Sequence, residues 1–85
     1  MPEISRFYGI IIMMFYNDHN PPHFHASYGE FKVVISIDEE IVSGYMPSRA
    51  LKLIFEWMGK HKNELSSNWN KCQNGEAPSK IEPLK

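Results

Sequence analysis

A chain of 85 residues holds one small domain, residues 1–85, and is too short for the core of a large enzyme. Its 42% apolar and 22% charged residues read as globular rather than disordered, and a net charge of −1 gives no global attraction to nucleic acid. The single cysteine, Cys72, forbids an internal disulfide and fits a reducing compartment. No apolar run approaches the ~18 residues of a membrane span and no secretory leader opens the chain, so a cytoplasmic location with no membrane partner is expected.

The first half reads as strands, over about residues 7–46. Gly9 to Tyr16 is a continuous apolar run, too short for a typical helix and rich in β-branched residues. Both of its faces are apolar, which predicts a central strand covered on two sides. Asn17-Asp18-His19-Asn20-Pro21-Pro22 is turn chemistry. His23 to Tyr28 is a second strand, and Gly29-Glu30 a tight turn. Phe31, Val33, Ile35 and Ile37 alternate through a third, half-buried strand, and Ile41 to Met46 forms a fourth. Short connections favour an antiparallel meander.

The second half reads as a helix over about 48–74, with Ser48 as its N-cap. Leu51, Ile54, Phe55, Met58, Leu65, Trp69 and Cys72 keep one face throughout. Gly59 predicts a bend or break near Gly59-Lys60, and Asn74-Gly75 ends the helix. The tail, 76–85, contains Pro78 and Pro83 and reads as extended or frayed. The expected fold class is α+β: a small antiparallel sheet of about four strands followed by one long or broken C-terminal helix packed on one face.

Charge divides the chain. Residues 1–46 set two cationic side chains against six carboxylates, a net of −4; residues 47–85 set seven against four, a net of +3. On the helix, Arg49, Lys52, Lys60 and Lys71 lie opposite the apolar seam, interrupted by Glu56, and form a stripe that suits an RNA or DNA backbone or is an ordinary solvated face. Ala50, Leu53 and Trp57 add a second apolar stripe beside the seam. A lone domain has no need of it, which points to a partner subunit anchored on Leu53 and Trp57. The alternative is packing under the tail, Ile81 and Leu84 included.

The most unusual stretch is Asn17-Asp18-His19-Asn20-Pro21-Pro22-His23-Phe24-His25, which holds three of the four histidines within seven residues. His23 and His25, two apart on a strand, project from one face, and the prolyl turn folds His19 back toward them. Three uses follow. The pair offers two nitrogens to a divalent metal, with His19 or Glu30 as a third ligand. It offers an acid and a base for phosphodiester cleavage, with Arg6, Tyr8 or Tyr16 stabilising charge. Or the imidazoles hydrogen-bond the Asp18 carboxylate and loop carbonyls and fix a turn. No nucleophile elbow surrounds Ser27, and there is no phosphate-binding glycine loop.

Ile4-Ser5-Arg6-Phe7-Tyr8-Gly9-Ile10, the histidine run, Arg49-Ala50-Leu51, Glu56-Trp57 and Asn68-Trp69 ahead of Gly75 together resemble the bacterial family called domain of unknown function 4160, from about residue 2 to Leu84. The run from Asp18 to His25 is the specific part. The resemblance implies a small cytoplasmic protein that partners a second short protein encoded by the adjacent gene, in pairs similar to toxin–antitoxin modules. It makes Asp18, His19, Asn20, Pro21, Pro22, His23 and His25 the signature and assigns none of them a role. The leading expectation is therefore an interaction protein of toxin–antitoxin type, acting in a homo- or hetero-oligomer. The alternatives are a metal-independent ribonuclease-like enzyme using His19, His23, His25 and Arg6, and a metal-binding module using His23, His25, His19 and Glu30.

Overall fold

Period-2 apolar patterning and two-residue turns fold the first half as a meander. Among the residues described by the computed structural model, 2–40 and 42–85, five strands precede one helix. They are β1 (Glu3–Phe7), β2 (Ile10–Met13), β3 (His23–Tyr28), β4 (Phe31–Ser36), β5 (Val42–Tyr45) and α1 (Ser48–Gln73). The strands pair antiparallel in the order β1-β2-β3-β4-β5. The α+β class and the C-terminal helix are as the pattern predicts; Ile41, the first residue of the predicted fourth strand, lies outside the described residues.

The five strands agree with the expected count of about four; the one the pattern does not announce is β1, which hides its period. Its register against β2 shifts between Glu3 and Ser5, so Ile4 and Ser5 are both buried and the alternation that marks a strand is broken. Tyr8 and Gly9, with φ of 50° and 82°, make the two-residue turn into β2, where positive φ at both positions matches the strand twist. In β5, Gly44 has φ +103°, and a Cβ there would stand 2.5 Å from the Lys32 carbonyl oxygen. Only glycine lets β5 approach β4 at that point.

Cross-strand register sorts the side chains into two faces. Ile12, Ala26 and Val33 pair in sequence across β2, β3 and β4 and are buried on the face that meets α1. The neighbouring row, Met13, His25 and Val34, faces away and is half-buried. The expectation that Gly9–Tyr16 is a central strand covered on both sides is thus corrected. The strand is second in the sheet, and only its Ile10, Ile12 and Met14 side is closed by the core.

The helix starts one residue earlier than Ser48 as N-cap requires. Pro47 holds the cap position with no side-chain cap hydrogen bond, and its carbonyl accepts from Leu51 N–H at 3.1 Å. Proline's fixed φ suits the entry to a first turn. The bend falls at His61 (φ −129°, ψ 22°), just past Gly59-Lys60. Its ring lies 5.6 Å from Trp57, and its Nδ1 is 2.6 Å from Glu64 Oε1. The helix ends in a Schellman arrangement: Glu76 N–H reaches the Lys71 carbonyl and Gly75 N–H the Cys72 carbonyl, with Gly75 at φ +77°.

The tail is extended but not frayed. Ile81 N–H donates to the Ile4 carbonyl at 2.8 Å. Asn68 bonds Ser79 twice, its Nδ2 donating to the carbonyl and its Oδ1 accepting from the N–H, both at 2.9 Å. Trp57 is fully buried, packs on Phe7 and Phe24 at 5.4 and 5.9 Å, and donates from Nε1 to the Glu82 carbonyl. Trp57 as an anchor for a partner is therefore corrected: Ile81 and Leu84, both buried, mark the chain's own tail as the cover of that stripe, and Leu53 is left half-buried. Asn68→Ala strands a backbone donor and acceptor at Ser79. It is expected to cost about 1–3 kcal/mol, read as a lower urea midpoint together with faster proteolysis in the tail. An unchanged midpoint would show that the tail adds nothing to stability.

Candidate metal centre

The loop between β2 and β3 is fastened to the far end of α1. Asn17 N–H donates to the Cys72 carbonyl at 3.3 Å, and Gln73 Nε2 donates to the Asp18 carbonyl at 2.8 Å. The loop then turns through a cis Asn20–Pro21 bond into β3, which presents His23 and His25. These contacts aim the Asp18 carboxylate at both imidazoles. Its Oδ2 lies 2.8 Å from His23 Nε2 and 3.3 Å from His25 Nε2, and its Oδ1 accepts from His19 N–H at 2.9 Å. One ligand atom from each of Asp18, His23 and His25 lies within 4.8 Å of the other two.

The rings are held by packing as well. His23 is buried, with its ring 5.1 Å from that of Trp69. His25 stands edge-on to Phe15 at 4.3 Å. His23 Nδ1 is 2.8 Å from the Pro21 carbonyl oxygen, which can only accept, so that nitrogen carries a proton. Its Nε2 then faces an oxygen of a carboxylate. Such a contact needs a proton or a metal ion between the two atoms. A metal-ligating histidine commonly donates its other N–H to a backbone carbonyl, which fixes the ring and its tautomer.

Burial pushes the Asp18 carboxyl up, but hydrogen bonds from His25, His23 and the His19 backbone outweigh it, and the group lies below its ordinary value. A carboxyl depressed by folding contributes stability that is present above its unfolded value, about pH 4, and is lost as pH falls through the folded value. In chelator-treated protein, Asp18→Asn is expected to cost about 1–3 kcal/mol at neutral pH. The difference from wild type should shrink as denaturation is repeated at falling pH below about 4. A difference that stays constant with pH would contradict an ionised Asp18 as the hub.

The profile of the family described as Domain of unknown function (DUF4160) matches residues 9–70. The chain belongs to the DUF4160 family. No curated protein and no solved structure matches it. In this DUF4160 chain the three histidines that the sequence singles out do converge. His19 and His23 have ring centroids 5.4 Å apart, and His23 and His25 5.3 Å. His19 sits at the rim, its side chain 86% exposed and its Nδ1 3.1 Å from Asp18 Oδ1.

Two other expected members are elsewhere. Arg6 is on β1 and pairs with Glu3, Nη2 to Oε1 at 2.8 Å; the positional reason is that β1 lies two strands from β3. Glu30 is in the turn after β3, five residues beyond His25 and about 16 Å along the strand direction. Neither joins the site, which corrects Arg6 as charge stabiliser and Glu30 as ligand. The member of the cluster that sequence spacing missed is Asp18, read there only as a partner that fixes the turn. Of the basic stripe, Arg49, Lys52 and Lys60 are exposed, while Lys71 is half-buried and donates to Ser79 Oγ at 2.6 Å.

The DUF4160 histidines line a cleft of about 390 Å³ together with Ser36 and Glu39, Ser36 being the cross-strand partner of His23. No lysine or arginine lines it among the described residues. No helix among the described residues is long and apolar enough to cross a membrane.

Proposed function

We propose that Asp18, His23 and His25 bind one divalent transition-metal ion, and that the protein uses its open coordination positions to hold or activate a ligand in the cleft. The observation that carries this reading is the pairing of His23. With Nδ1–H committed to the Pro21 carbonyl, Nε2 turns toward Asp18 Oδ2 beside a second imidazole. Two nitrogens and one carboxylate oxygen suit zinc, or iron(II) in a facial triad. Bonds of 2.0–2.1 Å to a tetrahedral ion space the ligands about 3.4 Å apart, close to the 3.3 Å between His25 and Asp18; with the three ligand atoms within 4.8 Å of one another, the His23–His25 pair draws together by up to about 1.4 Å to close on an ion. Three protein ligands rather than four are typical of sites that keep a position open. The carboxyl end of α1 beside the loop favours a cation further.

Acid–base cleavage of a phosphodiester without metal has less support. Asp18 and Glu39 give the cleft two carboxylates with no lysine or arginine among its lining residues, which disfavours a phosphate. Partnership with a second small protein, of toxin–antitoxin type, rests on the family resemblance, since the tail covers Trp57. A reducing cytoplasm suits the buried, unpaired Cys72.

The test is calorimetric titration of zinc into tag-free protein stripped by chelator. One ion per chain is expected. Because the ion binds only the folded state, an excess of a hundredfold over Kd stabilises by about 2.7 kcal/mol, a rise in Tm of roughly 10 °C or more for a domain of this size. No heat and no change in Tm across zinc, iron(II) and manganese would end the proposal.

A further inference from the structure

The face of the sheet turned away from α1 carries a second cavity, continuous with the metal cleft. Its volume is about 710 Å³, and its apolar wall is Ile11, Met13, Phe15 and Val34. That volume falls within the range of small-molecule sites, about 300–1,000 Å³. Register explains its position: the row Met13–His25–Val34–Ser43 crosses four strands on one face, and no helix covers that face among the described residues. His25, Val34 and Ser43 line both the groove and the cleft. One edge of the His25 ring meets Phe15 while its Nε2 faces Asp18.

We infer that the ligand of the metal site is an amphipathic small molecule, with a metal-coordinating oxygen headgroup at Asp18, His23 and His25 and an apolar body lying in the groove over Ile11, Met13, Phe15 and Val34. The inference rests on the metal reading above and adds the class of ligand. Continuity argues for it, since a molecule bound at the open position of the ion has His25 as its nearest wall and the groove directly beyond. Dimension argues for it as well. From β2 to β5 the groove spans three strand spacings, about 14 Å, the length of a medium alkyl chain or a bicyclic ring system. Composition sets the rim: Ser27, Lys32 and Ser43 leave a bounded apolar floor, where a sheet-on-sheet contact needs apolar residues across the whole face.

The experiment uses the zinc-loaded protein and a series of linear hydroxamates, from acetohydroxamate to decanohydroxamate. Affinity is expected to rise about fourfold per added methylene until the groove is full. The double variant Ile11→Ser/Met13→Ser, whose residues line the groove and not the cleft, should bind zinc and acetohydroxamate as wild type does and lose at least tenfold toward the long members. Affinity independent of chain length in wild type overturns the inference and leaves the metal reading standing. A dimer seen by light scattering that long hydroxamates do not dissociate, with no gain along the series, assigns the face to a second copy and also overturns it. Protein that takes up none of zinc, iron(II) and manganese overturns both.

Discussion

Replacement of Trp57 by alanine is expected to remove about 3–5 kcal/mol of unfolding free energy, out of a total of roughly 4–13 kcal/mol for a domain this long. The side chain is wholly buried between Phe7, Phe24 and the kinked turn at His61, so its removal leaves a cavity that three aromatic rings cannot collapse to fill. It also orphans the Glu82 carbonyl, which accepts from Nε1 at 2.8 Å. Trp57→Phe separates the two effects. It retains much of the ring volume and drops the donor, and should cost less than the alanine variant by at least the difference in cavity size. Urea denaturation followed by circular dichroism gives both values. A loss under about 1 kcal/mol for Trp57→Ala would mean that the tail does not clamp the helix, and would restore this side chain as a candidate for external contacts.

The second large effect is on ion affinity. His23→Ala should weaken zinc binding by more than about 100-fold, beyond the 10–100-fold typical of changes to groups that merely orient a ligand. The variant deletes one of three ligand atoms and the N–H that fixes the loop through Pro21. His25→Ala should act similarly. His19→Ala is the control: its ring stands at the rim and largely in solvent, so a change of no more than a few-fold is expected. Near-ultraviolet circular dichroism of each variant distinguishes a lost ligand from a lost fold. Equal affinities in all three variants would place the ion elsewhere on the chain.

Periodicity made the main architecture legible. Phe31 to Ile37 alternates as a strand must, and of the predicted helix seam Ile54, Met58, Leu65, Trp69 and Cys72 are buried. What stayed illegible depends on contacts that leave no period. The bulge in β1 cancels its alternation. The tail docks through single side-chain-to-backbone bonds from Asn68 and Trp57, which no spacing announces. The buried face is wider than the seam and includes Ala50 and Trp57, because it is shared between the sheet and the tail.

At the site, the pairing of His23 with His25 follows from strand geometry alone, and their convergence with His19 from the short prolyl loop. The place of Asp18 as common acceptor does not. It depends on the loop being pulled against the last helical turn by Asn17 and Gln73, a tertiary contact. Arg6 and Glu30 were chemically reasonable companions, but sequence proximity does not say which end of a hairpin a residue occupies.

That fastening also sets when the centre becomes complete. Asp18 and Gln73 are separated by 55 positions, so the clasp behind the carboxylate closes a loop spanning most of the protein, among the slower kinds of contact to form. During synthesis, a nascent chain that has exposed only its strands carries the two imidazoles and the acid without the tether that aligns them. On the proposed metal reading, the ion is then a late seal on an assembled molecule rather than the seed around which it gathers.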